Sequence, residues 1–272
     1  MADSFDLSGV TAALADTIFA NKLHHLPSVG STNQLAIESA HSGAPQGSVW
    51  VADEQTAGRG RSNHTWHSTI GDGLYVSVLL RPNLPLADAL WISLATGLAV
   101  QSAITVVTGL APDIRWPNDL LIQQRKCGGI LVETAAIASP SDAPSMLRYA
   151  VIGIGINVNH QDFPPELENV ATSLRRESGK PWPREQVLVE VLRALEHQTA
   201  LLEAELRGDL DTPDILKRFA AASTWIQGKR VHVDEAGGYT GVTDGLDPRG
   251  FLRVIAEDGT VRTVLSGGVR AR

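Results

Sequence analysis

Three short stretches of the sequence combine glycine with charged or amide side chains that can bind an anion. The first runs from Gln55 to Arg61 and alternates glycine with arginine. Glycine lets backbone N–H groups approach an anion closely, and a guanidinium makes paired hydrogen bonds to a carboxylate or phosphate. The stretch predicts an anion-binding loop. The competing interpretation is a solvated turn in which Arg59 and Arg61 only keep the loop soluble.

The other two stretches place an amide, a carboxylate and a lysine at strand ends. Asn118 and Asp119 follow Pro117 between two β-rich segments, and Lys126 comes just before the apolar segment that begins at Cys127. Asn and Asp after a proline are also common turn formers, and most lysines lie on protein surfaces. Each stretch therefore keeps a structural interpretation beside the functional one.

Other chemistries fit the sequence less well. The run Gly153-Ile154-Gly155-Ile156-Asn157 is close to a dinucleotide fingerprint, but it lacks the third glycine and a following helix, so we reject a Rossmann site. Its glycines predict a strand that passes close to a ligand, with Asn157 at its polar end. His64 and His67 have no third metal ligand, and Cys127 has no histidine partner. We therefore predict neither a zinc site nor a thiol nucleophile.

Helices and strands must bring these stretches together. Apolar spacing and end signals predict five helices: 8–20, 32–42 with Ser31 as N-cap, a long buried core helix ending near Gly109, 184–207, and 214–222 after Pro213. Extended segments are predicted around 24–26 and over 48–54, 73–82, 114–122, 128–135 and 149–159. The segment 55–73 has no apolar periodicity and predicts a long functional loop, and 139–145 predicts an exposed hairpin connection.

The C-terminal part of the chain has a different character. After Trp225, short alternating segments are separated by GG, DG and RG dipeptides. This pattern predicts a small β-barrel and a domain boundary near residue 226.

Composition bounds the class of protein. The 272 residues are 43% hydrophobic and 19% charged, which is typical of a globular chain with a sizeable core. A net charge of −7 argues against a general binder of nucleic acids or anionic membranes. The N-terminus lacks a signal-peptide pattern, the single cysteine excludes an intrachain disulfide, and we judge no uninterrupted apolar run long enough to span a membrane. We expect a cytoplasmic protein.

Taken in order, five stretches resemble the biotin protein ligases, which attach biotin to carboxylase carrier proteins. They are GSTN (30–33), EQTAGRGR (54–61) followed by Trp66, RWPNDL (115–120), RKCGGILVE (125–133) and VIGIGINVN (151–159). The strands around Ser266-Gly267-Gly268 resemble the family's small barrel. The resemblance implies an α+β fold: a mixed β-sheet backed by helices, of the class II synthetase-like biotin/lipoate ligase type, over 1–225, and a C-terminal SH3-like β-barrel over 226–272.

The resemblance also implies site residues. For biotin binding they are Ser31, Thr32, Asn33, Gln55, Arg59, Gly60, Arg61, Lys126 and Gly153, and for ATP or the adenylate they are Arg59, Arg61, Trp66, Asn118, Asp119, Lys126 and Asn157. Lys126, Arg59 and Asp119 are the implied catalytic residues, and Mg²⁺ is expected on the ATP phosphates. Two departures from the family pattern are Ser62-Asn63-His64-Thr65, in place of further arginine and glycine, and Cys127-Gly128, in place of leucine-alanine.

The implied reaction has two steps. Biotin and ATP give biotinyl-5'-AMP and pyrophosphate, and a lysine of the biotin carboxyl carrier protein of acetyl-CoA carboxylase, or of a related carboxylase, then takes the biotinyl group. Lys126 is expected at the biotin carboxylate and α-phosphate, the loop 55–67 is expected to exclude water, and Asp119 is expected to orient or deprotonate the incoming amine. A lipoate-protein ligase of the same fold and a non-catalytic biotin-sensing adaptor stay open as alternatives.

Partners follow from the same resemblance. Regulatory members of the family add an N-terminal winged-helix domain, and we expect none before Gly30. We therefore expect no DNA binding, no membrane partner, and a monomer or weak homodimer.

Overall fold

The computed structural model describes residues 5–137, 144–209, 214–235, 237–266 and 268–272. Most of the predicted connection 139–145, together with Pro213 and Gly267, lies outside these ranges. The described chain forms a seven-stranded sheet backed by helices and a separate five-stranded sheet. The predicted α+β class with a mixed sheet is confirmed.

The large sheet contains the strands that were predicted as β-rich. Its members are β1 (Leu23–Leu26), β2 (Val49–Ala52), β3 (Gly73–Leu80), β4 (Asp113–Arg115), β5 (Asp119–Ile122), β6 (Arg125–Ile137) and β7 (Met146–Asn157). Their order is β1-β2-β3-β7-β6-β5-β4. Strands β1 and β2 run parallel, and the other neighbouring pairs are antiparallel. The long strands β3, β7 and β6 therefore form the centre of the sheet.

The described ranges contain six α-helices: α1 (Leu7–Ala13), α2 (Thr32–His41), α3 (Leu90–Thr108), α4 (Leu174–Ser178), α5 (Arg184–Arg207) and α6 (Ile215–Ala222). Ser31 caps α2 by accepting from the Gln34 N–H, and α3 ends at Gly109, as predicted. Helix α1 ends well before the predicted residue 20. The Ile18 N–H donates instead to Glu196 on α5 (2.7 Å), a tertiary contact that the local pattern does not contain.

The apolar run Leu86–Thr108 is long enough and apolar enough to cross a membrane, with a mean hydropathy of 1.7. The prediction that no run reaches this length is wrong, because Ser93 and Thr96 do not interrupt the helix: the Thr96 hydroxyl donates to the Ile92 carbonyl of the preceding turn. Within the apolar stretch of 18 residues that meets this criterion, 61% of the residues are buried inside the protein. Helix α3 packs against α5 and β6, so it is the buried core helix that the sequence predicted.

The C-terminal sheet consists of β8 (Gln227–Val233), β9 (Tyr239–Leu246), β10 (Leu252–Ala256), β11 (Val261–Val264) and β12 (Val269–Ala271), in the order β11-β10-β9-β8-β12. The sheet is open, because β11 and β12 at its edges do not pair with each other within the described ranges. The two sheets share one hydrophobic core that includes Trp225 and Ile226. Across it, the indole N–H of Trp116 donates to the Gly250 carbonyl (2.9 Å).

Candidate active site

A pocket opens on the large sheet where the loop between β2 and β3 covers β6 and β7. It holds about 450 Å³ of open space, including its mouth. Most of the predicted site residues line it: Ser31, Thr32, Asn33, Gln55, Arg59, Gly60, Arg61, Trp66, Asn118, Lys126 and Gly153. Gly155, in the strand predicted to pass close to a ligand, also lines it, and strand residues that sequence reasoning did not assign complete the lining: Val76, Gly129, Ile130, Leu131 and Ile154. We call this the first pocket.

A second pocket of about 790 Å³ adjoins the first, and Trp66 and Lys126 line both. Asn157, which does not reach the first pocket, lines this one, beside an apolar wall made of Phe163, Leu167, Val170 and Ala171. The backbone of Lys126 fixes that wall. Its N–H donates to the Val170 carbonyl (2.8 Å), and its carbonyl accepts from the Thr172 N–H (2.9 Å).

Lys126 is held by a partly buried ion pair. Its Nζ lies 2.5 Å from Asp119 Oδ1, and Arg115 Nη2 lies 2.5 Å from the other carboxylate oxygen. Burial alone would raise the pKa of Asp119, but the attraction of Lys126 and Arg115 lowers this pKa below its usual value. Asp119 is therefore an ionised carboxylate that positions Lys126, and its low pKa makes it a weak proton acceptor.

The indole of Trp66 packs against two glycines. Gly129 and Gly155 are paired across β6 and β7. A Cβ at Gly155 would lie 2.5 Å from Cε2 of Trp66, and one at Gly129 would lie 2.9 Å from Cζ3, so a larger residue would push the indole away. Lys126 Nζ lies 5.5 Å from the ring centroid. The indole N–H is buried and has no hydrogen-bond partner among the described residues.

The start of α2 supplies a polar wall. Gln55 Oε1 accepts from the backbone N–H (2.8 Å) and the hydroxyl (3.0 Å) of Thr32. Ser77 Oγ donates to Asn33 Oδ1 (2.6 Å). A Cβ at Gly153 would lie 2.3 Å from the same Asn33 oxygen. The glycines of β7 were predicted to admit a ligand; in the structure they also make room for the side chains of Asn33 and Trp66.

The two loop arginines bind opposite parts of the site. Arg59 Nη2 donates to Glu133 Oε1 (2.9 Å), while Arg61 donates to Asn118 Oδ1 (3.0 Å) and to the Ser266 carbonyl (2.5 Å). Sequence reasoning missed Glu133. The alternation of β6 was the available signal, because it places residue 133 on the same strand face as Gly129 and residue 131.

Two groups near the site make hydrogen bonds to the surrounding backbone. Asn157 Nδ2 donates to the Thr172 carbonyl (3.0 Å) and so fixes the chain beside the second pocket. Cys127 is fully buried, its S–H donates to the Leu120 carbonyl (3.4 Å), and burial raises its pKa to about 12. A thiolate nucleophile at Cys127 is therefore disfavoured, in agreement with the sequence.

The residues fit a magnesium ion that is held mainly by nucleotide phosphates. No group of three or more His, Cys, Asp and Glu side chains in the described ranges could hold a metal by itself. Mg²⁺ in nucleotide sites takes one or two protein oxygens beside the phosphates. Asn118 lines the first pocket, and Asp119, which lines neither pocket, contacts the ammonium of Lys126 at their junction; these two side chains would supply the protein oxygens.

Comparison with known proteins shows which family this fold belongs to. The family model described as "Biotin/lipoate A/B protein ligase family" matches residues 26–157. The biotin--[acetyl-CoA-carboxylase] ligase of Mycobacterium tuberculosis is 32% identical over 246 residues, which cover 88% of this chain and 84% of that protein. The chain belongs to the biotin/lipoate protein ligase family, on the side of the biotin protein ligases.

Two further similarities show the extent of the match. The bifunctional ligase/repressor BirA of Bacillus spizizenii is 40% identical over 191 residues, 70% of this chain, and the match spans 57% of that relative's length. The Aquifex aeolicus biotin protein ligase in complex with biotin and ATP superimposes with a TM-score of 0.73 at 30% identity, covering 93% of this chain and 99% of that one.

Proposed function

We propose that this protein is an ATP-dependent biotin protein ligase. It activates biotin to biotinyl-5'-AMP with release of pyrophosphate and transfers biotin to a specific lysine of the biotin carboxyl carrier protein of acetyl-CoA carboxylase or a related carboxylase. The observation that carries this proposal is the position of Lys126 at the junction of two pockets. The names of the Mycobacterium relative and the Aquifex complex support the same activity.

In the first half-reaction, two anionic groups must meet. The biotin carboxylate attacks the α-phosphate, and pyrophosphate leaves. A unit-charge pair at about 4 Å is worth about 4 kcal/mol at an effective dielectric constant of 20, so the ammonium of Lys126 between carboxylate and phosphate offsets much of their repulsion. Asp119 and Arg115 keep the Lys126 side chain directed at the junction. Mg²⁺ supplies further charge neutralisation on the phosphates when it is bound.

The polar wall of the first pocket favours biotin over lipoate. Ser31, Thr32, Asn33 and Gln55 present hydroxyl and amide groups, which match the donors and acceptors of a ureido ring. The dithiolane ring of lipoate has no such groups, so it would cover this polar wall without forming hydrogen bonds to it. Gly153 and the backbone of Gly60 complete the biotin end in this proposal.

The second pocket is the proposed nucleotide end. Trp66 offers an aromatic face at the junction, and Asn118 and Asn157 supply amides beside it. Arg59 and Arg61 extend over the first pocket from the loop. The loop 55–67 excludes water from the mixed anhydride, which would otherwise hydrolyse.

In the second half-reaction, the carrier lysine attacks the anhydride carbonyl, and AMP leaves with the electron pair of the broken C–O bond. The amine loses a proton in this step, and the departing AMP phosphate or solvent water takes it up. Because Asp119 has a lowered pKa and contacts two cations, we propose that it orients Lys126 and the incoming amine and does not accept the proton.

Transfer of labelled biotin tests the function. Wild-type protein, ATP, Mg²⁺ and an apo carrier domain should give labelled carrier with biotin and not with lipoate. The variant Lys126→Ala should lose biotin-dependent ATP–pyrophosphate exchange while it stays folded, whereas Lys217→Ala, at an exposed lysine of α6, should react like wild type. Transfer of lipoate alone would support the lipoate ligase, and binding of biotin without pyrophosphate release would support the adaptor.

We further propose that residues 226–272 form an SH3-like module. Five short antiparallel strands and the bulges in the β8–β9 and β9–β10 pairs support it, because bulges increase the bend and twist of a sheet.

The absence of operator binding also stays a prediction, which a mobility-shift measurement with biotin and ATP present would test.

A further inference from the structure

We propose that Glu133 is a positioning residue that holds the loop over the first pocket and thereby retains the adenylate, an inference that rests on the proposed function. Glu133 lies on β6, two residues beyond Leu131 of the pocket lining, and each of its carboxylate oxygens takes one donor. Asn33 Nδ2 donates to Oε2 (2.9 Å), and Arg59 Nη2 donates to Oε1 (2.9 Å). A single carboxylate therefore connects the loop to the wall of the pocket.

The wall side of this connection is rigid. Asn33 is only 4% exposed, and its Nδ2 also donates to the Leu131 carbonyl (3.2 Å). Its Oδ1 accepts from Ser77 and lies against Gly153, where even a Cβ would not fit. Asn33 cannot follow a moving loop, so Glu133 is tied to a fixed point.

The loop side has two attachments. Arg61 donates to Asn118 (3.0 Å) on one side of the pocket. Arg59 donates to Glu133 on the other side, with a longer contact to Gln34 Oε1 (3.4 Å). Loss of the Glu133 carboxylate frees Arg59 and leaves Arg61 attached, so it loosens one end of the loop while the other stays bound.

The Arg59–Glu133 ion pair is too exposed to contribute much to the stability of the fold. The side chains of Arg59 and Glu133 are 45% and 25% exposed. Ion pairs in such positions add little to folding stability, since water and salt screen them. Breaking the pair should therefore change how long the loop stays closed and leave the fold intact.

The experiment measures how long the adenylate stays bound. Wild type and Glu133→Gln are loaded with labelled biotin, ATP and MgCl₂, then chased with unlabelled biotin and ATP. Glutamine keeps the size of the side chain but turns an NH₂ group towards one of the two donors. We expect the labelled adenylate to dissociate about threefold to fivefold faster, as the loss of one partly exposed ion pair would give. Glu257→Gln, at an exposed glutamate that pairs with Arg230, should release it like wild type.

Two further variants test whether Glu133 acts through Arg59. In an Arg59→Gln background, adding Glu133→Gln should cause no further acceleration, because Glu133 acts through Arg59. Arg59→Lys tests the same contact if Glu133→Gln does not fold, because it changes an exposed side chain. This variant should also release the adenylate faster than wild type, because an ammonium lacks the paired donors of a guanidinium. ATP–pyrophosphate exchange at saturating biotin should stay within about twofold of wild type for Glu133→Gln, since Lys126 and its partners are untouched.

The outcomes separate the two proposals. Normal adenylate formation with unchanged release in folded Glu133→Gln, or in Arg59→Lys, overturns the retention role alone. A wild-type protein that forms no labelled adenylate overturns the proposed function and, with it, the retention role.

Discussion

At the residue scale, the position of the Lys126 ammonium depends on contacts between residues that are separate in the sequence. Lys126 and Asp119 belong to different motifs, and the β5–β6 hairpin brings their side chains to 2.5 Å. Arg115 adds a second cation to the same carboxylate. The residue types of the site were predictable from their motifs, but the pairing required the register of β5 against β6.

The substitution Asp119→Asn tests whether Asp119 positions Lys126 or takes a proton. Removing the carboxylate leaves two cations facing an amide, so adenylate formation should fall about tenfold to a hundredfold, in line with the loss of one to two buried charged hydrogen bonds. If Asp119 only positions, the pH profile of biotin transfer should keep its shape at a lower amplitude. Loss of a titrating limb would identify Asp119 as the base. Asp244→Asn, at a carboxylate paired with Arg253 in the C-terminal sheet, is the matched control.

His160 gives stability a pH dependence. The ring is 1% exposed, stacks on Phe163 and lies 3.3 Å from the Tyr75 hydroxyl through Nε2. Burial, together with the charge of His67, lowers the pKa of His160 from 6.5 to about 4. The unfolded chain therefore binds this proton at a higher pH than the folded chain, so the free energy of unfolding falls as the pH drops from 6.5 towards 4.

Urea unfolding of wild type and His160→Gln at pH 7 and pH 5 measures this contribution. The wild type should lose about 2 kcal/mol more than the variant between these two pH values. Asp72, whose pKa is raised by burial, titrates in both proteins and cancels in the comparison. Equal losses in the two proteins would show that His160 is not the group responsible.

At the element scale, the site depends on β6 and β7 having no side chains at a few matched positions. Gly129 and Gly155 face each other across the two strands, and the indole of Trp66 fills the space above them. Glycine weakens a strand, so its presence at the centre of the large sheet indicates a close approach of another group. Here that group is a side chain from the loop, and the loop's position follows from the strand register.

The substitution Gly155→Ala should displace Trp66, because the new methyl group would lie 2.5 Å from the indole. We expect weaker ATP binding, seen as an increase in KM for ATP of about tenfold, which corresponds to the loss of one aromatic contact of about 1 to 1.5 kcal/mol. Gly97→Ala in α3 is the control, since its methyl group would meet no atom closer than 3.5 Å and alanine favours a helix. An unchanged KM for ATP in Gly155→Ala would contradict a nucleotide role for Trp66.

Local signals predicted the elements that are fixed by their own residues. Ser31 caps α2, and Gly109 ends α3 in a left-handed conformation, so both ends could be located from the sequence. Helix α4 was not predicted although Ser173 caps it and Gly179 ends it, because its five residues are too few to show an apolar period. The wall from Phe163 to Ala171 was not predicted, because it depends on contacts with distant residues. The clearest is the bond from the Lys126 N–H to the Val170 carbonyl, which no pattern within residues 163–171 contains.

At the scale of the whole molecule, the C-terminal sheet shares the core of the large sheet. Trp225, Ile226, Val231 and Val254 belong to the same hydrophobic cluster as the strands and helices of the large sheet. The sequence predicted a boundary near residue 226 from a change in turn composition, which reports on local structure only. Shared burial couples the two parts in folding, whatever their separate roles in the reaction.

This coupling predicts a single cooperative unfolding transition. Val254 is fully buried on β10, and the six helices of the described ranges all precede residue 226, so helical circular dichroism reports on the other part of the molecule. Val254→Ala should destabilise the protein by about 1 to 3 kcal/mol and lower the midpoint of the helical signal as much as that of the whole protein by calorimetry. Val261→Ala, at a 58% exposed valine on β11, should change the free energy of unfolding by no more than about 0.5 kcal/mol and leave both midpoints close to those of the wild type. A helical transition that stays at the wild-type midpoint in Val254→Ala would show instead that the two sheets unfold as separate units.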